Sequence, residues 1–391
     1  MLQIAPRVAG IGTETAFAVL ARAEALRAQG REIINLGIGQ PDFPTPDHIV
    51  AAGREALAHG RHGYTPAAGI PELREAVARD LARRTGAAVD SAAVLITPGA
   101  KVTMFFAAQM FGGPGAEILY PNPGFPIYES AIALSGARPV PYRLEASTGF
   151  SFDAEALLAQ ITPATRLIIL NSPANPTGGV TPAEQIDRLA AGLESHPAVA
   201  VLSDEIYDRF VYDGREHRSL LQYEGLRSQL ILLNGWSKTY AMTGWRLGYS
   251  VWPAALFPLA ERLAINCYSC PNAAAQYAGV AALEGPQESV EEMVAAFDER
   301  RQVLVTALNA IDGVACATPG GAFYAFPSIK ETGFDSRTLQ DRLLTEAGVA
   351  TISGTSFGAY GEGFLRLSYA SSLDDIRTAV DRIRAFLNGS L

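Results

Sequence analysis

Cysteine is scarce, with three in 391 residues. Three cysteines cannot build a disulfide framework, and a chain of this length can bury a large core without one. Cys267 and Cys270 form a lone C-x-x-C, a spacing shared by redox pairs and zinc sites. Zinc would need two more ligands, and only Cys316 is left among the cysteines; reduced thiols in a cytosolic enzyme are the simpler account. Positive charge is also in deficit: 31 Lys and Arg against 40 Asp and Glu leave a net charge of -9. A nucleic-acid surface would need a basic stripe, so no nucleic-acid partner is expected, and an anionic membrane surface is disfavoured on the same ground. Small anionic ligands stay open, because a few placed cations and helix N-termini bind them locally. No charge-free apolar stretch reaches the ~20 residues a membrane span requires. Residues 1–6 lack a basic segment leading into an apolar run, so no secretory signal is expected and the cytoplasm is the expected location. Short repeats and low-complexity tracts are missing as well.

What is present is an ordinary globular composition, 48% hydrophobic and 18% charged. Compact domains run to about 100–200 residues, which predicts two. From about residue 93 to 251 short apolar runs alternate with helical stretches. Strands are expected at 93–97, 117–120, 166–170, 199–203 and 230–233, and helices at 101–111 and 182–193, the latter opening with Thr181 as N-cap and Pro182 at the first helical position. The apolar runs are nearly continuous, as in strands buried on both faces. The pattern predicts an α/β fold: a mostly parallel sheet covered by helices on both faces. Residues 13–29 form a helix ended by Gly30. The last third changes character, with a long amphipathic helix at 287–308, a strand at 364–368 and a closing helix at 374–387. This is a smaller α+β domain built from the two chain ends. The expected division is 1–46 as N-terminal arm and part of the small domain, 47–285 as the large domain and 286–391 as the small C-terminal domain.

In open parallel sheets, ligands bind beyond the C-terminal strand ends. After Thr97 comes Pro98-Gly99-Ala100-Lys101, entering a helix whose first N–H groups can hold a phosphate. After Leu170 comes Asn171-Ser172-Pro173-Ala174-Asn175-Pro176-Thr177-Gly178. After Ser203 comes Asp204-Glu205-Ile206-Tyr207, and after Leu233 a segment with Ser237, Lys238 and Arg246. An anion nest, an amide, a carboxylate with a phenol, and a lysine with an arginine suit an anionic cofactor with a reactive carbonyl and a basic ring nitrogen. Pyridoxal 5'-phosphate has all three features, and its chemistry needs a lysine, an acid on the ring nitrogen and a phosphate site.

Asn175-Pro176-Thr177-Gly178, Ser203-Asp204-Glu205-Ile206-Tyr207 and Ser237-Lys238-x-x-x-Met242-Thr243-Gly244-Trp245-Arg246 resemble the fold-type I, class I aminotransferases, in their bacterial aspartate aminotransferase branch. The resemblance runs from Asn35-Leu36-Gly37-Ile38-Gly39-Gln40-Pro41-Asp42-Phe43 to Arg366-Leu367-Ser368-Tyr369-Ala370. It implies that Lys238 carries the cofactor as a Schiff base and that Asp204 pairs with the pyridinium nitrogen. Tyr207 and Asn175 would hydrogen-bond the ring 3-oxygen. Gly99, Ala100 and Lys101 would lie at the phosphate end, with Arg246 on the phosphate and Phe125 stacked on the ring. Tyr64 would reach the phosphate of a neighbouring subunit, which implies a homodimer. Gly39 and Arg366 match positions that take the substrate α-carboxylate, with Asn175 beside them.

Two departures from the pattern stand out. Many relatives have a serine or threonine three residues before the lysine as a phosphate ligand; Gly235 stands there, and Ser237 offers a hydroxyl from a different position. Glu14 falls where relatives often carry a small polar residue, and its carboxylate would repel an acidic substrate side chain. Lys101 pulls the other way, since it matches a lysine that meets a distal carboxylate in some aspartate enzymes. The expected reaction moves an amino group from an L-amino acid, with aspartate or glutamate the leading donor, to a 2-oxo acid; aromatic, branched and basic donors stay open. The alternatives are a lyase or decarboxylating synthase on the same fold, which the Arg366 motif disfavours, and a non-enzymatic cofactor-binding regulator. The latter would carry a DNA-binding module, against which the acidic charge weighs.

Overall fold

The computed structural model describes residues 2–9 and 11–390. Its first eight strands are β1 (Ile34–Asn35), β2 (Val94–Thr97), β3 (Glu117–Asn122), β4 (Arg138–Arg143), β5 (Thr165–Asn171), β6 (Ala200–Asp204), β7 (Leu230–Gly235) and β8 (Gly248–Val251). Among the described residues, β2 to β8 form one seven-stranded sheet in the order β2-β8-β7-β6-β5-β3-β4. Every neighbouring pair is parallel except β7–β8 and β8–β2. Two reversals restore direction, so β2 points the same way as β3, β5, β6 and β7, and all their C-terminal ends share one edge.

Side chains alternate across the sheet, as the pleat requires. Val94, Ile96, Ile168, Val201 and Leu232 enter one core with Ile49, Leu73 and Ala278. Leu95, Leu167, Ile169, Leu202 and Ile231 enter another with Met104, Ala107 and Ala131. Both faces are therefore dry, which is why the strands are unbroken apolar runs in the sequence. The helices Lys101–Phe111 and Ile127–Ser135 pack together on one side, and Ala273–Glu284 packs on Asp47–Ala58 and Pro71–Thr85 on the other.

The remaining strands are β9 (Tyr324–Ala325), β10 (Val349–Ala350), β11 (Ile352–Ser353) and β12 (Leu365–Ser368). β1 pairs in parallel with β10, which ties residues near the N-terminus to the last third of the chain. β11, β12 and β9 form an antiparallel sheet. A third core gathers Ile34 and Leu36 with Phe297 and Leu304 of the helix Glu288–Asn309 and with Ile376 and Ile383 of Leu373–Leu387.

Differences from the sequence expectations are local. Pro182 is the N-cap of the helix Ala183–Leu193 with no side-chain cap bond, so Thr181 lies one residue outside the predicted role. The first long helix spans Thr15–Ala28, with Glu14 as its N-cap and Gly30 beyond its end at φ +84°. Two strands of the seven-stranded sheet, and the two-residue strands β1, β9, β10 and β11, lie outside the expected set. β4 carries Pro139 and Pro141, which argue against a central strand, and it lies on the sheet edge where prolines are tolerated. β8 is four residues long and runs against its neighbours. Among the described residues no helix is long and apolar enough to cross a membrane, and no cluster of metal-ligating side chains occurs. The three cysteines are free thiols, Cys267 exposed and Cys316 buried.

Candidate active site

The shared strand edge opens into a cleft of about 540 Å³, lined by residues from β5, β6, both chain ends and the segment after β7. Its deepest carboxylate is Asp204, the last residue of β6 and only 2% exposed. The Tyr128 hydroxyl donates to Oδ2 at 2.6 Å and the Ile206 amide donates to Oδ1 at 3.2 Å. Burial pushes the Asp204 pKa up to about 6 despite these donors, because a dry site penalises the charged form. An unpaired buried carboxylate of this kind calls for a cationic partner.

Lys238 lies on the short helix Trp236–Thr239 that follows β7. Its Nζ donates to the Gly39 carbonyl at 2.6 Å and stands 5.9 Å from the Tyr207 ring centroid and 5.8 Å from that of Phe323. Burial, aided by the charges of Arg366, Lys101 and Arg246 and opposed by Glu14, brings its pKa down to about 8. Gly39 has no room for a side chain, since a Cβ there would collide with the Tyr324 hydroxyl. That hydroxyl hydrogen-bonds the Tyr207 hydroxyl at 2.7 Å, and burial holds the Tyr207 pKa well above its usual value, so the phenol stays neutral.

At the β2 end, Gly99 turns at φ +87° into the helix Lys101–Phe111, whose first N–H groups have no partner within the helix. A Cβ at Gly99 would overlap the Arg246 guanidinium. Arg246 itself sits at φ +56°, a left-handed position uncommon for a side chain of its size, and Nη1 donates to the Thr243 carbonyl at 2.9 Å. Gly235 cannot be replaced by a hydroxyl-bearing residue without a shift, because a Cβ would come within 2.8 Å of the Gly248 Cα in the paired strand. Ser237 lines the cleft and offers a hydroxyl there, as does Thr243.

On the opposite wall Arg366 of β12 is 3% exposed. Its guanidinium lies between the rings of Tyr324 and Phe357, at 4.7 and 4.8 Å from their centroids. It donates to the Asn175 side-chain carbonyl at 3.1 Å and the Gly37 carbonyl at 2.5 Å, and its Nε has no partner. Among the described residues no carboxylate pairs with it, although burial of a charge demands an anion. Phe125 lines the same cleft, edge-on to Tyr128 at 5.7 Å. Lys101 is bound in an ion pair with Glu14, and its Nζ lies 5.4 Å from the Phe125 ring centroid. Tyr64 is 93% exposed and outside the chain's own cleft.

This arrangement has known counterparts. The family model for aminotransferase class I and II matches residues 31–383. The chain belongs to this aminotransferase family. It is 38% identical to an aspartate aminotransferase of Geobacillus stearothermophilus, over 99% of both chains. It is also 38% identical to an aromatic-amino-acid aminotransferase of Thermococcus litoralis, over 92% of this chain and 93% of that one. The crystal structure of the aspartate aminotransferase from Rhizobium meliloti superposes with a TM-score of 0.94 at 36% identity, covering 99% of each chain. The chain is thus an enzyme that transfers amino groups, with the fold of its relatives and with pyridoxal 5'-phosphate as cofactor.

The cleft of this aminotransferase fits that cofactor. An anion has a glycine-lined helix start with a guanidinium beside it, a basic ring nitrogen has a buried carboxylate, and a carbonyl carbon has a buried amine of lowered pKa. Every sequence-predicted residue except Tyr64 lines this cleft or, as with Gly99, stands directly behind a lining side chain. Sequence reasoning missed Tyr128, Tyr324 and Phe17. Tyr128 follows Phe125 by three residues, one helical turn, which is a faint signal; nothing local marks Tyr324 or Phe17.

Proposed function

We propose that the chain is an L-amino acid:2-oxo acid aminotransferase in which Lys238 carries the cofactor and moves the substrate's Cα proton. The observation behind this reading is the Lys238 amine, buried in the cleft with its pKa brought down to about 8. A lowered pKa makes the unprotonated amine far more accessible near neutral pH than in an ordinary lysine, and that form serves both as nucleophile and as general base. Bound pyridoxal phosphate supplies the electron sink that makes the Cα proton removable. Asp204 would hold the ring nitrogen in its protonated form, with the Tyr128 hydroxyl, which donates to Oδ2 at 2.6 Å, keeping the carboxylate aimed. Tyr207 and Asn175 would donate to the ring 3-oxygen, and Phe125 would lie against the ring face. The amides of Ala100 and Lys101 at the Gly99 turn, the Ser237 hydroxyl and the Arg246 guanidinium would bind the phosphate, while the Gly99 amide itself donates to the Thr97 carbonyl at 2.7 Å. Arg366 grips the substrate α-carboxylate through two charge-assisted hydrogen bonds, with Gly39 and Asn175 framing the same spot. That grip turns the Cα–H bond toward Lys238.

The working unit in this reading is a homodimer in which Tyr64 completes the phosphate site of the other copy; its nearly full exposure supports this. We further propose a division into 1–46, 47–285 and 286–391, with the two ends forming one small domain, and a cytoplasmic location. The direct test is a donor panel (aspartate, glutamate, phenylalanine, leucine, arginine) against pyruvate, oxaloacetate and 2-oxoglutarate. Stoichiometric formation of a new amino acid and a new 2-oxo acid is expected. Ammonia or carbon dioxide released in place of an exchanged amino group would assign a lyase instead.

A further inference from the structure

The charges of the cleft are unevenly paired. Among the described residues four cationic side chains line it, Lys101, Lys238, Arg246 and Arg366, against two carboxylates, Glu14 and Asp204. Asp204 lies on the floor under Tyr128. Arg246 and Arg366 have no carboxylate partner among the described residues, as befits groups that await a phosphate and an α-carboxylate. With Lys238, Arg246 and Arg366 assigned to those roles, Lys101 is the cation of the cleft left, among the described residues, to meet a second, distal carboxylate of a substrate, and it is already ion-paired with Glu14.

The local structure shows where the Glu14 carboxylate has gone. Glu14 is the N-cap of the helix Thr15–Ala28, a position where a short polar side chain usually accepts an N–H of the first turn. Glu14 makes no such bond. Its side chain leaves its own helix uncapped and crosses 87 residues of sequence to Lys101. The glutamate side chain is 19% exposed and the lysine 40%, so the pair is partly shielded from water. The same stretch then supplies Ala16 and Phe17 to the cleft lining, which also includes Ile38, and Phe17 is 58% exposed although large and apolar.

We infer that Glu14 is an internal counter-ion that withdraws Lys101 from substrate recognition, so that this aminotransferase prefers donors with neutral apolar side chains, aromatic or branched, over dicarboxylic ones. The inference rests on the proposed α-carboxylate site at Arg366. A distal carboxylate entering beside Glu14 would meet a like charge at short range around a single ammonium group, which disfavours it. A cationic side chain gains little, because Glu14 is already neutralised and Lys101 repels it. A neutral side chain meets Phe17, Ala16 and Ile38 and disturbs neither charge.

The test uses the holoenzyme and two non-reacting carboxylates, succinate and 3-phenylpropionate, with dissociation constants from calorimetry alongside kcat/KM for aspartate and phenylalanine. The wild type should bind 3-phenylpropionate more tightly than succinate and favour phenylalanine over aspartate. Glu14→Ser and Glu14→Gln should each move both ratios toward the dicarboxylate by roughly tenfold or more, the order expected when one close like charge is removed. Serine is itself a favoured N-cap, so that helix is retained. Adding Lys101→Met to Glu14→Ser should reverse the gain. Tighter succinate binding by the wild type, or ratios unmoved by both Glu14 substitutions, would overturn the counter-ion alone. If neither carboxylate binds the wild type, the Arg366 assignment falls with it.

Discussion

Lys238 and Asp204 show how burial prepares two groups in opposite senses. Desolvation lowers the pKa of the amine and raises that of the acid, in both cases toward the neutral form. For Lys238 the rate at which pyridoxal phosphate becomes attached to the cofactor-free protein should rise with pH through about 8, followed by absorbance. Lys238→Ala should lower kcat by at least roughly 10²–10⁴-fold, the usual contribution of a positioned base. After borohydride reduction of the wild type, label should appear on one peptide, that containing Lys238; a second labelled lysine would refute the assignment. For Asp204 the folded pKa is about 6 against 3.8 for the free side chain. Between those values the folded protein holds a proton that the unfolded chain has released. Its contribution is therefore intact below pH 3.8 and lost as pH rises through about 6. At pH 8 the loss is on the order of 3 kcal/mol, from a shift of roughly two units at 1.36 kcal/mol each. Cofactor-free Asp204→Asn should thus melt above the wild type at pH 8 and level with it near pH 4. With cofactor bound the order should reverse, since the wild type then has its cation. Parallel melting curves across that range would dismiss the buried-charge account.

At the scale of elements, the phosphate end depends on a helix start that the chain can approach closely. Gly99 combines a left-handed backbone with a Cβ-free face against Arg246. Gly99→Ala should weaken cofactor affinity by about tenfold or more in a fluorescence titration and also destabilise the fold by about 1–2 kcal/mol through its left-handed φ. Gly30 offers the control, because it has a similar φ but nothing within 4 Å of an added Cβ. Gly30→Ala should share the stability loss and leave cofactor affinity unchanged. Equal affinities for the two variants would mean that the Cβ-free space beside Arg246 does not govern cofactor binding. The pairing of β7 with β8 shows a related constraint, since Gly248 closes off the space where a residue at 235 would place a hydroxyl.

At the scale of the whole molecule, the cleft is assembled from segments hundreds of residues apart, and one proposed contributor, Tyr64, is exposed and lies outside the lining of its own cleft. Mixing Lys238→Ala subunits with a Tyr64 variant that is itself clearly impaired should restore part of the activity, because some hybrid sites would hold both wild-type residues. Restoration should depend on subunit exchange, checked by sedimentation. A monomer that is fully active at assay concentration would contradict the shared site.

The alternating strands and helices between residues 93 and 251 were legible because a sheet buried on both faces demands long apolar runs, and no tertiary detail is needed to see them. Lys238, Asp204, Asn175 and Gly99 were legible as candidates because strand ends in such a sheet face one edge. β4 and β8 were not: two prolines disguised the first, and its edge position, which excuses them, exists only after the sheet has assembled. The sequence by itself thus determined the layer architecture and the chemical types gathered at its rim, since both follow from local periodicity and chain direction. Only the tertiary structure decided which charges are free to act. Tyr128 was brought to Asp204, Arg366 was left buried without an anion, and Lys101 was engaged by Glu14. Each of these depends on distances between residues far apart in the chain, and at close range in a dry cleft those distances decide whether a charge is paired or available.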